Sequence, residues 1–145
     1  MRIYKAEASD ARAAAELAVL MWESNTIEEM TEDLSAVIGS SQGAIFLAEE
    51  EGRPIGFAQC QLRHDYVEGT DSSPVGYLEG ILVREEYRNQ GHARALLERC
   101  QQWVREQGCT EFASDCELDN ETSRRFHMKV GFEEANRVIC FTKRL

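Results

Sequence analysis

One stretch of the 145-residue chain combines a strand, a turn and a helix start, and it constrains the fold more than any other. It runs YLEGILVREEYRNQGHARALL, from Tyr77 to Leu97. The apolar run Tyr77–Val83 predicts a strand, charged residues end it, and an amphipathic helix follows the turn at Gly91. A small-residue turn at a helix start exposes unpaired backbone N–H groups and the positive end of the helix dipole. We predict that this turn holds the pyrophosphate of a coenzyme and that the strand guides the coenzyme's arm to Glu79.

The order of these parts excludes two common phosphate-binding motifs. A Rossmann fingerprint needs G-x-G-x-x-G after the first strand of a βαβ unit, and a P-loop needs Gly-Lys-Ser/Thr. The pattern Arg88-x-x-Gly91-x-Ala93 instead resembles the acetyl-coenzyme-A motif of the GNAT superfamily of N-acetyltransferases, with Ala93 where that family usually has glycine. The resemblance implies acetyl-CoA as the co-substrate. The residues expected to hold it are Ile81, Leu82, Val83, Arg88, Asn89, Gln90, Gly91, His92, Ala93, Arg94, Asn120 and His127.

The charge balance bears on the class of partner. The chain has 16 Lys and Arg against 26 Asp and Glu, a formal net charge of −10. Binding to nucleic-acid phosphates needs the opposite sign, whereas an acidic surface attracts a cationic partner or simply keeps the protein in solution. No apolar run is long enough to span a bilayer and the N-terminus lacks the apolar core of a signal peptide, so we expect a cytoplasmic protein with no membrane partner.

The five cysteines are odd in number and form no C-x-x-C pair. Neither a disulfide framework nor a metal site is therefore predicted, and most of the thiols are expected to be buried.

The hydrophobic pattern predicts one α/β domain over residues 1–145. Predicted strands cover residues 2–8, 44–49, 55–62, 77–83 and 111–116, with a last one from 132 onward, and predicted helices follow Ser9 or Asp10, Thr26, Gly91 and Asn120. This order favours a mixed, mostly antiparallel sheet with helices on both faces and a splayed central strand pair. The polar loop at residues 63–75 is long for a plain connection, and such loops often carry function.

Glu79 is the first candidate catalytic residue. It lies in an apolar strand, on the face that the alternation assigns to Tyr77, Ile81 and Val83, and a carboxylate there is costly unless it is solvated or paired. A nearby arginine or backbone N–H would satisfy it. Gly80 beside it indicates a bulge or a close backbone approach, which favours a functional role. That role is to accept a proton from an ammonium group, directly or through water, and to hold the cation.

Asp115 is the second candidate catalytic acid, at the end of the following strand. It is either a turn residue or, if the two strands splay apart at the bulge, the opposite border of a cleft that contains Glu79. Three acids in the polar loop can add to the negative field or be plain solvated charges: Asp65, Glu68 and Asp71. Tyr66 and Trp22 can provide flat walls for a sugar-like ring, although Trp22 also fits a core position.

The helix after Asn120 resembles the second GNAT motif, Asn…Phe-Tyr-x-x-x-Gly-Phe, through Asn120, Phe126, Gly131 and Phe132. His127 stands where that family commonly has the tyrosine that protonates the leaving thiolate. A histidine can give that proton or only hydrogen-bond the thiol, and the alternative is an exposed helix histidine.

A narrower resemblance covers essentially the whole chain. The loop Asp71-Ser72-Ser73-Pro74 leading into LEGI, the position of Trp22, the segment ASD and the C-terminal GFEEANRVI are similar to aminoglycoside 6'-N-acetyltransferases of the GNAT type. The resemblance implies direct transfer of acetyl from acetyl-CoA to the 6'-amine of a polycationic aminoglycoside, antibiotic resistance, and a homodimer formed through the C-terminal strand. The residues implied to contact the drug are Trp22, Asn25, Tyr66, Glu79, Asp115 and Asn136.

Two other functions stay open at this point. The enzyme can acetylate another cation, such as a polyamine or a protein amine, because the placement of acids suits both. A coenzyme-A-binding regulator without turnover is the hypothesis from a different class, and the retained Glu79 argues against it.

Overall fold

The computed structural model describes residues 1–145, with five strands and four α-helices. The strands are β1 (Arg2–Lys5), β2 (Gly43–Glu50), β3 (Arg53–Arg63), β4 (Val75–Val83) and β5 (Phe112–Ser114). The helices are α1 (Ala11–Ala18), α2 (Ile27–Ile38), α3 (His92–Glu106) and α4 (Glu121–Lys129). Two short 3₁₀ turns cover Ala8–Asp10 and Glu85–Tyr87.

The strands form one sheet in the order β1-β2-β3-β4-β5. All neighbours are antiparallel except β4 and β5, which are parallel, so the predicted mixed and mostly antiparallel sheet is confirmed. The β4–β5 pairing ends where Leu78 lies opposite Ser114, whereas β4 continues to Val83. The two strands therefore splay apart as predicted, and on that side the backbone of Glu79–Val83 has no strand partner.

Helices cover both faces of the sheet, as the apolar spacing predicted. On one face α1 and α2 bury Leu17 and Leu34 against Phe57 of β3. On the other face α3 buries Leu96 and Trp103 in a second cluster. None of the helices combines the length and the apolar character that crossing a membrane requires.

The start of α2 shows how local sequence fixes an element. The Thr26 hydroxyl accepts the Glu29 backbone N–H, and the Glu29 carboxylate accepts the Thr26 N–H, both at 3.1 Å. This reciprocal capping box is the one that the spacing predicted, and such a cap contributes about 1 kcal/mol to helix stability.

The strand predicted from Phe132 onward is wrong for the single chain. Residues 131–145 contain neither helix nor strand, and the backbone of residues 133–145 makes no backbone–backbone hydrogen bond. Val138, Ile139 and Phe141 are 68%, 81% and 87% exposed. The apolar run Val138–Phe141 is typical of a strand, but a strand needs a neighbour to satisfy its N–H and C=O groups, and in the single chain this segment pairs with none.

The prediction for the cysteines is confirmed at three positions. Cys60, Cys100 and Cys109 are buried, whereas Cys116 and Cys140 are exposed. The two exceptions lie beyond the short β5 and in the C-terminal segment, where no layer covers the chain. All five thiols are free, and burial raises the pKa of the Cys109 thiol, so it is a poor nucleophile at neutral pH.

Candidate active site

The central feature of the site is a bulge in β4. Cys60 of β3 lies opposite Leu78, but the preceding residue, Gln59, lies opposite Gly80. Glu79 is therefore the extra residue of β4, and the irregularity that Gly80 predicted is confirmed. A bulge adds local twist and turns the side chain out of the regular ladder.

The bulge changes which residues share a face with Glu79. The guanidinium of Arg63 contacts both Tyr77 and Glu79, so these two lie on the same side as predicted. Val83 belongs to the cluster under α3, and Ile81 packs against that cluster. The prediction that Ile81 and Val83 share the face of Glu79 is wrong, because one inserted residue shifts the alternation by one position.

Trp22 closes one side of the bulge. A Cβ atom on Gly80 would lie 2.7 Å from Cζ2 of the indole, so only glycine permits this approach. The indole is half-buried and meets Phe57 edge-on, with ring centroids 6.0 Å apart. Trp22 is thus both a core residue and a wall beside Glu79. Asn25 follows it in a turn, donating its backbone N–H to the Trp22 carbonyl at 3.1 Å.

Glu79 is paired with an arginine, which is one of the two partners that the sequence analysis expected to satisfy its charge. Arg63 donates Nε and Nη2 to Oε1 at 3.0 and 2.8 Å, and Nη2 to Oε2 at 3.0 Å. The guanidinium carbon also lies 3.5 Å from the centroid of the Tyr77 ring. Both oxygens of the candidate base are therefore engaged.

Tyr77 extends this network to the second acid. Its hydroxyl donates a hydrogen bond to a carboxylate oxygen of Asp115. Burial, and then the bond to Asp115, raise the pKa of Tyr77 far above its ordinary value, so the phenol stays a neutral donor. Glu79 and the exposed Asp115 are thus joined through Arg63 and Tyr77 at the point where β4 and β5 separate.

The loop between β3 and β4 is fixed to the edge strand by Glu111. Its carboxylate accepts the backbone N–H groups of Asp71 and Ser72, both at 2.9 Å, and the Ser72 hydroxyl at 2.6 Å. The Ser72 hydroxyl and the Asp71 amide lower the pKa of Glu111. The loop carries Tyr66, whose side chain is 77% exposed.

Replacing Glu111 with Gln is expected to raise KM for the site's substrate about two- to fivefold, because an amide oxygen accepts these bonds less strongly than a carboxylate. The lowered pKa means that the wild-type anchor is present above the ordinary glutamate range and is lost as pH falls through the folded-state value. Steady-state kinetics against pH measures both effects. Equal KM in the two proteins at neutral pH would show that the loop needs no anchor.

Asn136 lies at the same loop rather than at the bulge. Its side-chain amide donates to Oε1 of Glu68 at 2.7 Å, and both residues are exposed. A Cβ atom on Gly69 would lie 2.5 Å from Cβ of Ala135, which shows how closely the C-terminal segment crosses the loop. Asp65 is exposed at the loop's surface.

The turn before α3 has the geometry of an anion cradle. Asn89 and Gly91 have positive φ values of 62° and 85°. Gly91 is the N-cap of α3 and supplies no side-chain cap, so the first amides of the helix lack a capping side-chain acceptor. Arg88 Nε donates to the Val83 carbonyl at 2.8 Å and ties the turn to the end of β4. The His92 ring is buried, with Nδ1 against the Met1 sulfur, so only its backbone is open to a ligand.

His127 is half-buried, so the alternative of an exposed helix histidine is wrong. Nδ1 donates to the Ser123 carbonyl at 2.7 Å, and Nε2 lies 2.8 Å from the Ser114 hydroxyl. That hydroxyl also lies 3.3 Å from the Leu78 carbonyl, beside Glu79. A neutral ring accepts the Ser114 hydrogen, whereas a protonated ring donates to Ser114. Asn120 caps α4 by accepting the Ser123 N–H at 3.1 Å.

Three residues of this network were not singled out from the sequence as site residues: Arg63, Tyr77 and Ser114. Arg63 ends β3 and Tyr77 precedes Glu79 by two, so both were candidates by position. Their contacts depend on the register beside the bulge, which the sequence does not reveal.

Comparison with known proteins identifies the family and the fold of the chain. The Acetyltransferase (GNAT) family matches residues 13–132. An aminoglycoside N(6')-acetyltransferase type 1 of Stenotrophomonas maltophilia is 42% identical over 142 residues, covering 96% of this chain and 90% of that protein. The structure of aminoglycoside N-acetyltransferase AAC(6')-Iy with CoA superposes with a TM-score of 0.96 at 36% identity, covering 99% and 95% of the two chains. The structure of AAC(6')-Iy with the bisubstrate analog CoA-S-monomethyl-acetylneamine superposes with a TM-score of 0.95 at 36% identity, covering 99% of this chain and 98% of that chain.

Proposed function

Because the chain belongs to the GNAT acetyltransferase family, we propose that it transfers an acetyl group from acetyl-CoA to the 6'-amine of an aminoglycoside. The observation that carries this function is the pair of acids, Glu79 and Asp115, joined at the point where β4 and β5 separate. An acid-lined opening beside an unpaired strand edge suits a cationic acceptor and an extended acyl carrier. Relatives named aminoglycoside N(6')-acetyltransferase type 1 align with most of the chain, at 42% and 38% identity.

Acetyl-CoA is the co-substrate, and the residues at the splay fit it. Its pyrophosphate is assigned to the backbone amides of the turn Gln90–Ala93, because the start of α3 has no side-chain cap. The backbone of Ile81, Leu82 and Val83 has an open edge on which an extended amide-bearing arm can pair as an added strand would. Arg88 and Arg94 add positive charge at the turn, and Asn120 supports the neighbouring start of α4.

The acetyl transfer needs an amine that has lost a proton. The nitrogen lone pair attacks the thioester carbonyl carbon, the C–N bond forms, the C–S bond breaks, and the sulfur takes up a proton. Glu79 accepts the ammonium proton, directly or through one water. A backbone N–H near Val83 stabilises the oxyanion. A protonated His127 ring donates from Nε2 to the Ser114 hydroxyl, which passes its own hydrogen toward the sulfur and leaves the ring neutral; Ser114 is the only polar contact of the ring outside α4.

The drug is held by charge and by a flat surface. Asp115 binds a second amine, and the indole of Trp22 packs on a sugar ring, with Asn25 at the end of the same turn. Tyr66 closes over the ligand from the exposed loop, and Asn136 contacts the drug at that loop. Acetylation removes a positive charge from the antibiotic and so weakens its attraction to RNA phosphates, which is the physical basis of resistance.

A matched pair of substrates tests this function. An aminoglycoside with a 6'-amine and its analogue with a 6'-hydroxyl are each incubated with acetyl-CoA, and thiol release is followed. We expect turnover with the amine and none above background with the hydroxyl analogue, with the product acetylated at the 6'-nitrogen. A far higher kcat/KM for a polyamine would favour the other acetyltransferase function. Coenzyme binding without thiol release from any amine would favour the regulator.

We infer that the protein works as a homodimer in the cytoplasm. The support for the dimer is the C-terminal segment, residues 133–145, which contains the apolar run Val138–Phe141, exposed and without backbone pairing. The edge strand β5, only three residues long, offers a second unpaired edge. The support for the cytoplasm is the set of five free cysteines, which suits a reducing compartment.

Replacing Phe141 with Asp is expected to convert the dimer to a monomer, roughly halving the mass in solution, because burying a charge in an apolar interface is unfavourable. Light scattering measures this mass. Leu118→Asp is the control, since Leu118 is 73% exposed outside the C-terminal segment. A wild-type protein that is monomeric at all concentrations would contradict the dimer.

A further inference from the structure

The cleft already contains a cation of its own. The Arg63 guanidinium makes three hydrogen bonds to Glu79, at 2.8 to 3.0 Å, and these use both carboxylate oxygens. The side chains are 42% and 21% exposed, so the pair stands at the cleft surface rather than in the core. Solvent can reach the guanidinium, and the pair can open without unfolding its surroundings.

The Tyr77 ring is the platform that holds this cation. The guanidinium carbon lies 3.5 Å from the ring centroid, and the hydroxyl of the same ring binds Asp115. Cation–π contact and a forked ion pair thus act together on one side chain. The positive charge of Arg63 sits within a cluster whose other charged members, Glu79 and Asp115, are the acids assigned to the substrate.

The ion pair with Arg63 conflicts with the role of Glu79 as acceptor of the ammonium proton. The inference drawn from this conflict rests on the proposed function. An ammonium group that gives a proton to Glu79 must approach an oxygen that Arg63 now fills. We propose that Arg63 is an intramolecular competitor of the substrate: the substrate's ammonium group replaces the guanidinium on Glu79, and the guanidinium swings toward solvent.

The competition acts on every amine alike. Any ammonium group that reaches Glu79 must first displace the guanidinium, so Arg63 raises KM for all such substrates by the same factor. A polycation offsets this cost through a second ion pair with Asp115, which a monoamine cannot make.

Arg63→Met tests the competition, because methionine removes the charge and keeps a long unbranched side chain. We expect KM for a 6'-amine aminoglycoside to fall about three- to tenfold, the range that an exposed to half-buried ion pair provides. The change should fall on KM rather than kcat, with a similar relative gain for a simple monoamine. KM for acetyl-CoA should stay near the wild-type value, because the site assigned to it lies at the Gln90–Ala93 turn.

Two further variants separate charge from structure. Arg63→Lys keeps the positive charge and should keep KM near the wild-type value. Arg12→Met is the matched control, since Arg12 forms an exposed ion pair with Glu16 on α1, at 3.4 Å. Calorimetry of the aminoglycoside alone, without acetyl-CoA, should show tighter binding to Arg63→Met than to the wild type.

An unchanged or higher KM and Kd in Arg63→Met would overturn the inference and would mean that Arg63 only orients Glu79. A wild-type protein that transfers acetyl to no aminoglycoside would instead overturn the proposed function. Thermal unfolding of each variant checks that the fold is retained, and the two failures remain distinguishable because the calorimetric comparison needs no turnover.

Discussion

Glu79→Gln is expected to lower kcat/KM for the aminoglycoside by about 10²- to 10⁴-fold, the usual contribution of a positioned general base. The amide keeps the size of the side chain and can still accept a hydrogen bond from Arg63, so the bulge should persist. It cannot accept the ammonium proton, and it no longer offers a negative charge to the substrate. For the aminoglycoside, kcat should therefore fall and KM should rise, while KM for acetyl-CoA stays near the wild-type value.

Steady-state kinetics with saturating acetyl-CoA measures this effect, and Glu16→Gln is the matched control. Glu16 lies exposed on α1, in a surface ion pair with Arg12, so the same chemical change there should leave kcat/KM unaltered. Wild-type kinetics in Glu79→Gln would remove Glu79 from the reaction, and the acid-lined cleft would lose its assigned chemistry.

Gln90→Glu is expected to weaken coenzyme binding about ten- to hundredfold, because it places a negative charge in the turn that is assigned to the pyrophosphate. The side chain is exposed and the substitution is isosteric, so packing does not change. An acidic residue at a helix N-terminus is favourable by about 0.3–1 kcal/mol, so the variant should be as stable as the wild type or slightly more stable. Weaker binding in a protein of undiminished stability separates the charge effect from damage to the fold.

Calorimetry with coenzyme A gives the affinity, and thermal unfolding gives the stability. Gln101→Glu makes the same isosteric change in the middle of α3 and should bind coenzyme A nearly as the wild type does. Equal affinity in Gln90→Glu and Gln101→Glu would mean that the pyrophosphate does not dock at this turn.

The sequence predicted the features that local chemistry determines. Thr26 and Glu29 form their capping box because both partners lie within one helical turn. Gly80 marks the bulge because Trp22 leaves no room for a Cβ atom beside that backbone. The uncapped turn at Gly91 follows from a small residue with a positive φ at a helix start.

What the sequence did not predict depends on register and on partners outside the segment concerned. The bulge shifts the alternation of β4, so Ile81 and Val83 moved to the α3 face although the period-two pattern placed them with Glu79. The pairing of Arg63 with Glu79 requires β3 and β4 to be aligned with that bulge in place.

The C-terminal segment illustrates the same limit. Residues 138–141 form an apolar run typical of a strand, but such a run shows only that a segment can lie in a sheet, not that it pairs with a strand of the same chain. Asn136 is similar, because its partner Glu68 lies 68 positions earlier in the chain. Neither the strand pairing of the C-terminal segment nor the contact between Asn136 and Glu68 can be recognised from the residues next to them in the sequence.

A crystal structure with coenzyme A and a 6'-amine aminoglycoside tests the central claim most directly. The account predicts the pyrophosphate on the amides of Gln90–Ala93, the arm along the open edge of β4, and the 6'-nitrogen within hydrogen-bonding distance of Glu79, about 3–3.5 Å from the reacting carbon position. A coenzyme bound away from that turn, or a 6'-nitrogen remote from Glu79, would contradict it.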